Sequence, residues 1–267
     1  MLVEKSAVSC DEINRIQLQL LDWGHACTAR EWVGDIRDPA YARLYYICAG
    51  DPYILFAGHQ LPLQPGWWYL LLGGFSFRHA CRSQMEQLYF HIQLVDDTGV
   101  NLLRRADGFL SRRGDPELAR SMAKALQGGD LAACLGLRQQ VFGLVLDMLT
   151  GSPIPLRPAR HSACVRETTA YIRSHPTIQL TVRQLAELAH VSERTLANAF
   201  REEMGLTPGQ YMDEQVFLQA EQLLRRTDLS IQQISDRLGF CDPCYFSRRF
   251  HKRYGLSPKQ YRKNSLI

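Results

Sequence analysis

Apolar positions along this chain change their period more than once. Between Ala26 and Val95 they come as short runs: Tyr41–Cys48, Tyr53–Ala57, Trp67–Leu72, Ser76–Cys81 and Leu88–Val95. Turn signals at Gly50-Asp51-Pro52, Gly58, Pro65-Gly66 and Gly73-Gly74 separate them. Short strands at such close spacing predict a small antiparallel barrel or jelly roll. From Gly99 to Thr150 the period lengthens to that of helix. Leu102, Leu103, Ala106, Phe109 and Leu110 keep one face, Pro116 suits a helix start, and Leu131 to Leu149 carry a nearly continuous apolar surface. Leu135, Val141, Phe142, Val145 and Leu149 are placed to pack on the barrel or on a second subunit. Before residue 26, Ile13, Ile16, Leu20 and Leu21 fit either one helical face or the start of a strand.

The stretch 151–160 contains Pro153, Pro155 and Pro158, which cannot continue a helix, and reads as a linker. Helix resumes around His161–Ser174, and Pro208 to Arg226 reads as one long helix. A duplication dominates this second half. Residues 200–211 (F-R-E-E-M-G-L-T-P-G-Q-Y) return at 250–261 as F-H-K-R-Y-G-L-S-P-K-Q-Y. Upstream, Leu185-Ala186, Val191-Ser192 and Leu196 answer to Ile234-Ser235, Phe240-Cys241 and Phe246, with a one-residue insertion in the turn. Two copies are too few for a solenoid, so the unit is one compact motif used twice. Each copy reads as helix-turn-helix. Ser192 is an N-cap candidate, and Glu193 follows where the helix dipole favours it. Leu196 and Phe200, and in the second copy Phe246 and Phe250, form the buried stripe. Arg194, Asn198 and Arg201, then Cys244, Arg248 and Lys252, point away from it. A short helix, a tight turn and a second helix with an outward basic face suit the DNA major groove.

Charge sharpens this expectation. The net charge is +4. Residues 1–160 hold 16 Lys/Arg and 16 Asp/Glu, residues 161–233 hold 7 and 9, and residues 234–267 hold 8 and 2. The second motif should therefore carry nearly all the attraction for phosphate. No apolar run in the sequence approaches the roughly 18–20 residues that span a bilayer, and no secretory signal pattern opens the chain. Cysteines scattered at 10, 27, 48, 81, 134, 164, 241 and 244 do not suggest a disulfide scaffold, and point to a reduced, cytoplasmic setting.

The run I-S-D-R-L-G-F-C-D-P-C-Y-F-S-R-R-F-H-K-R-Y-G-L-S-P-K-Q-Y-R (residues 234–262) resembles the C-terminal signature of AraC/XylS-type bacterial transcription regulators. The upstream copy resembles the first helix-turn-helix of the same family. More loosely, Leu63–Leu70 and Leu88–Ile92 resemble strands of the cupin-like sensor half found in many of these regulators. The resemblance implies an α+β chain: a cupin-like β-barrel (about 26–95) followed by helices (about 99–150), together a sensor and dimerisation domain over 1–150. A linker over 151–160 and an all-α DNA-binding domain over 161–267 would follow. It further implies a promoter-binding homodimer, more often an activator contacting RNA polymerase, responding to a small effector. Carried over by position, the base-facing residues are Arg194, Ala197 and Asn198 with Arg201 beside them, then Pro243, Cys244, Ser247 and Arg248, with His251 and Lys252 adjoining. Val216 and His251 depart from the usual Arg and Lys, which puts a DNA-backbone contact in doubt. The long helix would set the two units about one helical turn of DNA apart, roughly 34 Å.

A metal-dependent cupin enzyme fused to a DNA-binding module is the competing reading. His59, His79 and His91 lie in the barrel region, but no His-x-His pair with a following Glu is present, and no phosphate-binding loop or nucleophile elbow appears. No enzyme activity, cofactor, metal or membrane partner is therefore expected. Trp67, Trp68, Tyr45, Tyr46 and Phe77 are candidates for lining a pocket, or for core. Cys241-Asp242-Pro243-Cys244, at a helix N-terminus, has the arrangement that lowers a thiol pKa. A structural zinc there would lack two ligands, so small residues filling the turn are the expected role.

Overall fold

The computed structural model describes residues 13–28, 32–104, 106–154 and 161–265. Pro155 to Pro158, within the expected linker, lie outside the described residues. Seven strands form one antiparallel sheet: β1 (Gln17–Thr28), β2 (Gly34–Ile36), β3 (Ala42–Phe56), β4 (His59–Pro62), β5 (Trp67–Leu71), β6 (Phe77–Val95) and β7 (Phe109–Arg113). Their order is β1-β6-β3-β5-β7, with β2 added to β6 and β4 to β3. The closed cupin-like barrel is corrected by this topology. Among the described residues no pairing joins β1 to β7, so the sheet stays open.

Two of the expected breaks are absent. β3 runs through Gly50-Asp51-Pro52, and β6 joins the two segments expected on either side of residues 82–87. The apparent turn at Gly50 is a pair of bulges, with register shifts between Ile47 and Ala49 and between Gly50 and Pro52. Gly50 has φ +96, and a Cβ there would lie 2.1 Å from the Gln84 carbonyl oxygen. A glycine that permits both the backbone angle and the close approach serves a bulge as well as a turn. The opposite error occurs at Phe109–Arg113, where helix was expected. The segment pairs Phe109 to Leu71 and Arg113 to Trp67 as an edge strand.

The sheet has two apolar faces. Leu44, Tyr46, Trp68, Leu88, Phe90 and Ile92 lie on one, covered by α1 (Pro116–Gly128) and α2 (Leu131–Leu149). Tyr45, Ile47, Ile54, Phe77 and Met85 share a cluster on the other. Trp68, Tyr46 and Phe77 are thus core. In α2, Val141, Val145 and Leu149 are buried and Phe142 packs beside them, so core packing takes this face, whereas Leu131 and Leu135 stay exposed. Against the expectation that no apolar stretch reaches membrane length, α2 could cross a bilayer by length and composition, though Leu137, Val141, Leu144 and Val145 pack on the sheet.

Helices complete the chain: α3 (Ala163–Ser174), α4 (Val182–Leu188), α5 (Glu193–Met204), α6 (Pro208–Arg226), α7 (Ile231–Arg237), α8 (Pro243–Tyr254) and α9 (Pro258–Ser265). α6 lies against the sheet domain. Arg104 donates to Glu214 from Nε and Nη2 at 2.8 and 2.7 Å, and the Tyr41 hydroxyl donates to Glu221 at 3.0 Å. Arg225 pairs with Asp22, and Arg226 donates to the Leu21 carbonyl at 2.7 Å.

Candidate nucleic-acid interface

Most matched positions of the duplicated sequence have a physical reason. Phe200 and Phe250 are fully buried, and Gly205 and Gly255 end α5 and α8 at φ +69 and +71, the left-handed cap that glycine fills without strain. Thr207 then caps α6: its hydroxyl accepts from the Gln210 N–H at 3.2 Å while the Gln210 side chain accepts from the Thr207 N–H at 2.8 Å. Ser257 and Gln260 repeat the exchange at 3.3 and 3.0 Å. Pro208 and Pro258 occupy the first turn, where no backbone N–H is needed. Tyr211 and Tyr261 return the chain to Phe200 and Phe250, with ring centroids 6.1 and 5.2 Å apart.

Helix-turn-helix geometry follows in both copies. The turns bend at His190 (φ 53) and Gly239 (φ 77). Ser192 caps α5, its hydroxyl accepting from the Thr195 N–H at 3.1 Å, and Asp242 caps α8, accepting from the Tyr245 N–H at 2.7 Å. Counting from these landmarks, the inserted residue of the second turn is Cys241. Cys241 and Cys244 are both free and exposed.

The helical faces separate as the spacing requires. Leu196, Phe200 and Met204 are buried on α5, as are Phe246, Phe250 and Tyr254 on α8. Opposite them Arg194, Asn198, Arg201, Cys244, Arg248, His251 and Lys252 are exposed, while Ala197, Pro243 and Ser247 are half-buried. Val216 is 1% exposed inside the second core, where it cannot reach a phosphate. Part of the positive charge expected on the second motif is taken up within the fold. Arg249 pairs with Asp213 and lies over the Phe217 ring, Arg253 stacks on the same ring, and Arg262 donates to the Leu224 and Leu229 carbonyls. These three hold helices together, whereas Arg237, Arg248, Lys252, Lys259 and Lys263 are exposed. The sheet also reaches this surface: Asp35 of β2 and the adjoining Arg37 line a groove with Arg248, His251 and Lys252.

A second feature lies between the sheet and the second helix-turn-helix. A cavity of about 210 Å³ is lined by Trp32, Arg43, Tyr45, Tyr89, Tyr254 and Tyr261, among others. Arg43 is 4% exposed; its Nη2 donates to the Tyr41 hydroxyl at 3.1 Å, whereas Nη1 has no hydrogen-bond partner among the described residues. Tyr261 donates to Glu221 at 2.8 Å and receives from Arg225 Nη2 at 2.6 Å. Burial, reinforced by the Arg43 charge, pushes the His79 imidazole down to about 3, and burial with Arg225 and Arg43 holds His91 well below its usual value. Both rings are therefore neutral at pH 7. Of the aromatic candidates only Tyr45 lines this cavity. Trp32, Tyr89, Tyr254 and Tyr261 come from segments distant in sequence and carried no signal there. His59, His79 and His91 do not assemble as a ligand set among the described residues.

Comparison with known proteins gives three results. A helix-turn-helix domain family model matches residues 185–264. The HTH-type transcriptional activator RhaS of Salmonella dublin is 26% identical over 169 residues, 63% of this chain and 56% of RhaS, and that of Salmonella paratyphi B is 29% identical over the same lengths. The chain thus spans just over half the length of these relatives. ToxT of Vibrio cholerae shares the fold, with a TM-score of 0.64 at 10% identity over 93% of this chain and 98% of ToxT. A structure of ToxT bound to an unsaturated fatty acid gives 0.64 at 11% identity over 98% and 97%.

Proposed function

We propose, from the premise that this chain is an AraC/XylS-type regulator, that it binds promoter DNA sequence-specifically and activates transcription in response to a small effector. The observation that carries the reading is the pair of capped helix-turn-helix units joined by α6, each presenting an exposed polar and cationic helix face. α5 would read bases through Arg194, Ala197 and Asn198, with Arg201 beside them. α8 would use Pro243, Cys244, Ser247 and Arg248, with His251 and Lys252 towards phosphate. Arginine's planar fork suits guanine O6 and N7, which is the reason to assign Arg248 to a base.

The effector part of the reading rests on the cavity between sheet and helices. A ligand there would touch Arg43 and Tyr89 of the sheet together with Tyr254 and Tyr261 of the second unit, so its binding would bear on how that unit is held. ToxT, a protein of this fold, has been solved with an unsaturated fatty acid bound, which supports the reading that the fold can take a small ligand. The domain division at 151–160, a homodimer and a contact with RNA polymerase belong to the same proposal; the exposed Leu131 and Leu135 of α2 are available for pairing. The relatives matched are transcriptional activators, which favours a regulator over the enzyme reading.

Genomic mapping of the bound sites, followed by footprinting on one of them, tests the proposal. Two adjacent protected major grooves are expected per bound chain. Uniform binding to unrelated DNA, with no recurring sequence, would overturn it.

A further inference from the structure

His25 and Cys27 stand two residues apart on β1, so they share a face of the sheet. Across the ladder Glu86 of β6 is the register partner of Cys27, and Leu88 is that of His25. Strand pairing thereby assembles a nitrogen, a sulfur and a carboxylate oxygen from two strands. His25 Nε2 lies 2.7 Å from Glu86 Oε1, and the ligand atoms of all three residues lie within 4.8 Å of one another. An ion pair would account for His25 and Glu86 alone. It leaves unexplained why an exposed free thiol joins them.

The donor set has a definite chemical preference. Thiolate, imidazole and carboxylate bind zinc at about 2.0–2.3 Å in tetrahedral geometry, which places donors roughly 3.3–3.8 Å apart. Closing the trio to that spacing needs only side-chain rotation at a partly exposed surface. Magnesium and calcium, which favour all-oxygen sites, are poor matches for a thiolate. A second thiol stands nearby. The β3 register shift between Ile47 and Ala49 places Cys48 at a bulge opposite Glu86. Burial, with the charges of Glu86 and Cys27, pushes that thiol up to about 11.

We propose that His25, Cys27 and Glu86 form a binding site for one thiophilic divalent cation of the zinc type, with water in the fourth position. The site would tie edge strand β1 to β6. By register His25, Cys27 and Glu86 share the sheet face of Leu88, opposite the face of Tyr89 that lines the cavity. The proposal stands apart from the DNA-binding reading, and its test does not involve DNA.

The full chain, reduced and stripped with a chelator, is titrated with Co²⁺ as a spectroscopic probe and then with Zn²⁺. One equivalent of Co²⁺ should produce a thiolate-to-cobalt charge-transfer band that Zn²⁺ removes. Cys27→Ser should abolish the band, and Cys241→Ser/Cys244→Ser should retain it. His25→Gln should weaken Zn²⁺ binding by at least about tenfold, the loss typical of groups that merely orient a ligand. Zn²⁺ should raise the melting temperature of the wild type and leave that of Cys27→Ser unchanged. Absence of a thiolate band in the wild type, or a band that survives Cys27→Ser, would overturn the proposal.

Discussion

Removing Arg104 tests how the sheet is held against α6. Glu214 is 6% exposed and the Arg104 side chain 14% exposed, so their two hydrogen bonds form out of water. Burial raises the Glu214 pKa above the ordinary carboxylate range, and Arg104 opposes that rise. Arg104→Ala leaves the carboxylate buried without its partner, which costs about 3–5 kcal/mol for pairs of this kind. Asp38 also meets Arg104 at 2.8 Å, but it is 67% exposed and its share is small. The loss should depend on pH. Without the guanidinium, the folded-state pKa of Glu214 rises further above its unfolded value near 4.5. A carboxylate raised on folding is favourable when protonated, below its unfolded pKa, and that stability is lost as pH rises through the folded pKa. Arg104→Ala should therefore fall furthest behind the wild type at pH 7 and regain part of the difference at pH 5. Urea unfolding followed by tryptophan fluorescence measures both. Arg104→Ala/Glu214→Leu should recover most of the loss, because no buried charge is then left over. A variant within about 1 kcal/mol of wild type at pH 7, or a deficit that ignores pH, would refute a desolvated pair joining sheet and helix.

Three further outcomes are expected. Gly239→Ala places a Cβ 2.5 Å from Thr177 Oγ1 at φ +77 and should lower the urea midpoint by the equivalent of roughly 1–3 kcal/mol, less in a Thr177→Ala background; equal losses in both backgrounds would remove the clash as the cause. Because the unfolded His79 protonates near 6.5 and the folded ring only near 3, stability should fall as pH drops across that window, by up to about 1.4 kcal/mol per unit. His79→Gln should flatten the slope, and an unchanged slope would contradict the assignment. Arg248→Ala should lose roughly 1–3 kcal/mol of discrimination at one base pair while keeping most non-specific binding; equal loss on all sequences in a gel-shift assay would move Arg248 to a phosphate.

The helix-turn-helix half was legible because its information is local. Glycine at a left-handed cap, Ser or Thr with Gln three residues on, proline between them, and aromatic residues at helical spacing each act within a turn or two of chain. Pro208–Arg226 accordingly appears as one helix, and the exposed face of α8 is the expected one. The sheet was legible only in outline. Gly50-Asp51-Pro52 satisfies a bulge as well as it does a turn, and Phe109–Arg113 has no period long enough to separate strand from helix.

What the sequence by itself determined is the duplication, its caps and the residues turned out from each helix, since those depend on intervals of three, four and seven residues. Tertiary structure alone decided which cations stay exposed: Arg249, Arg253 and Arg262 look like Arg248 in sequence, but helix packing turns them onto Phe217, Asp213 and backbone carbonyls. It also decided that Trp32, Arg43 and Tyr261 share one cavity, and that Cys27 faces Glu86 across a ladder. Strand pairing and helix docking join residues far apart along the chain, and no interval in the sequence encodes a partner chosen by burial of a common apolar face.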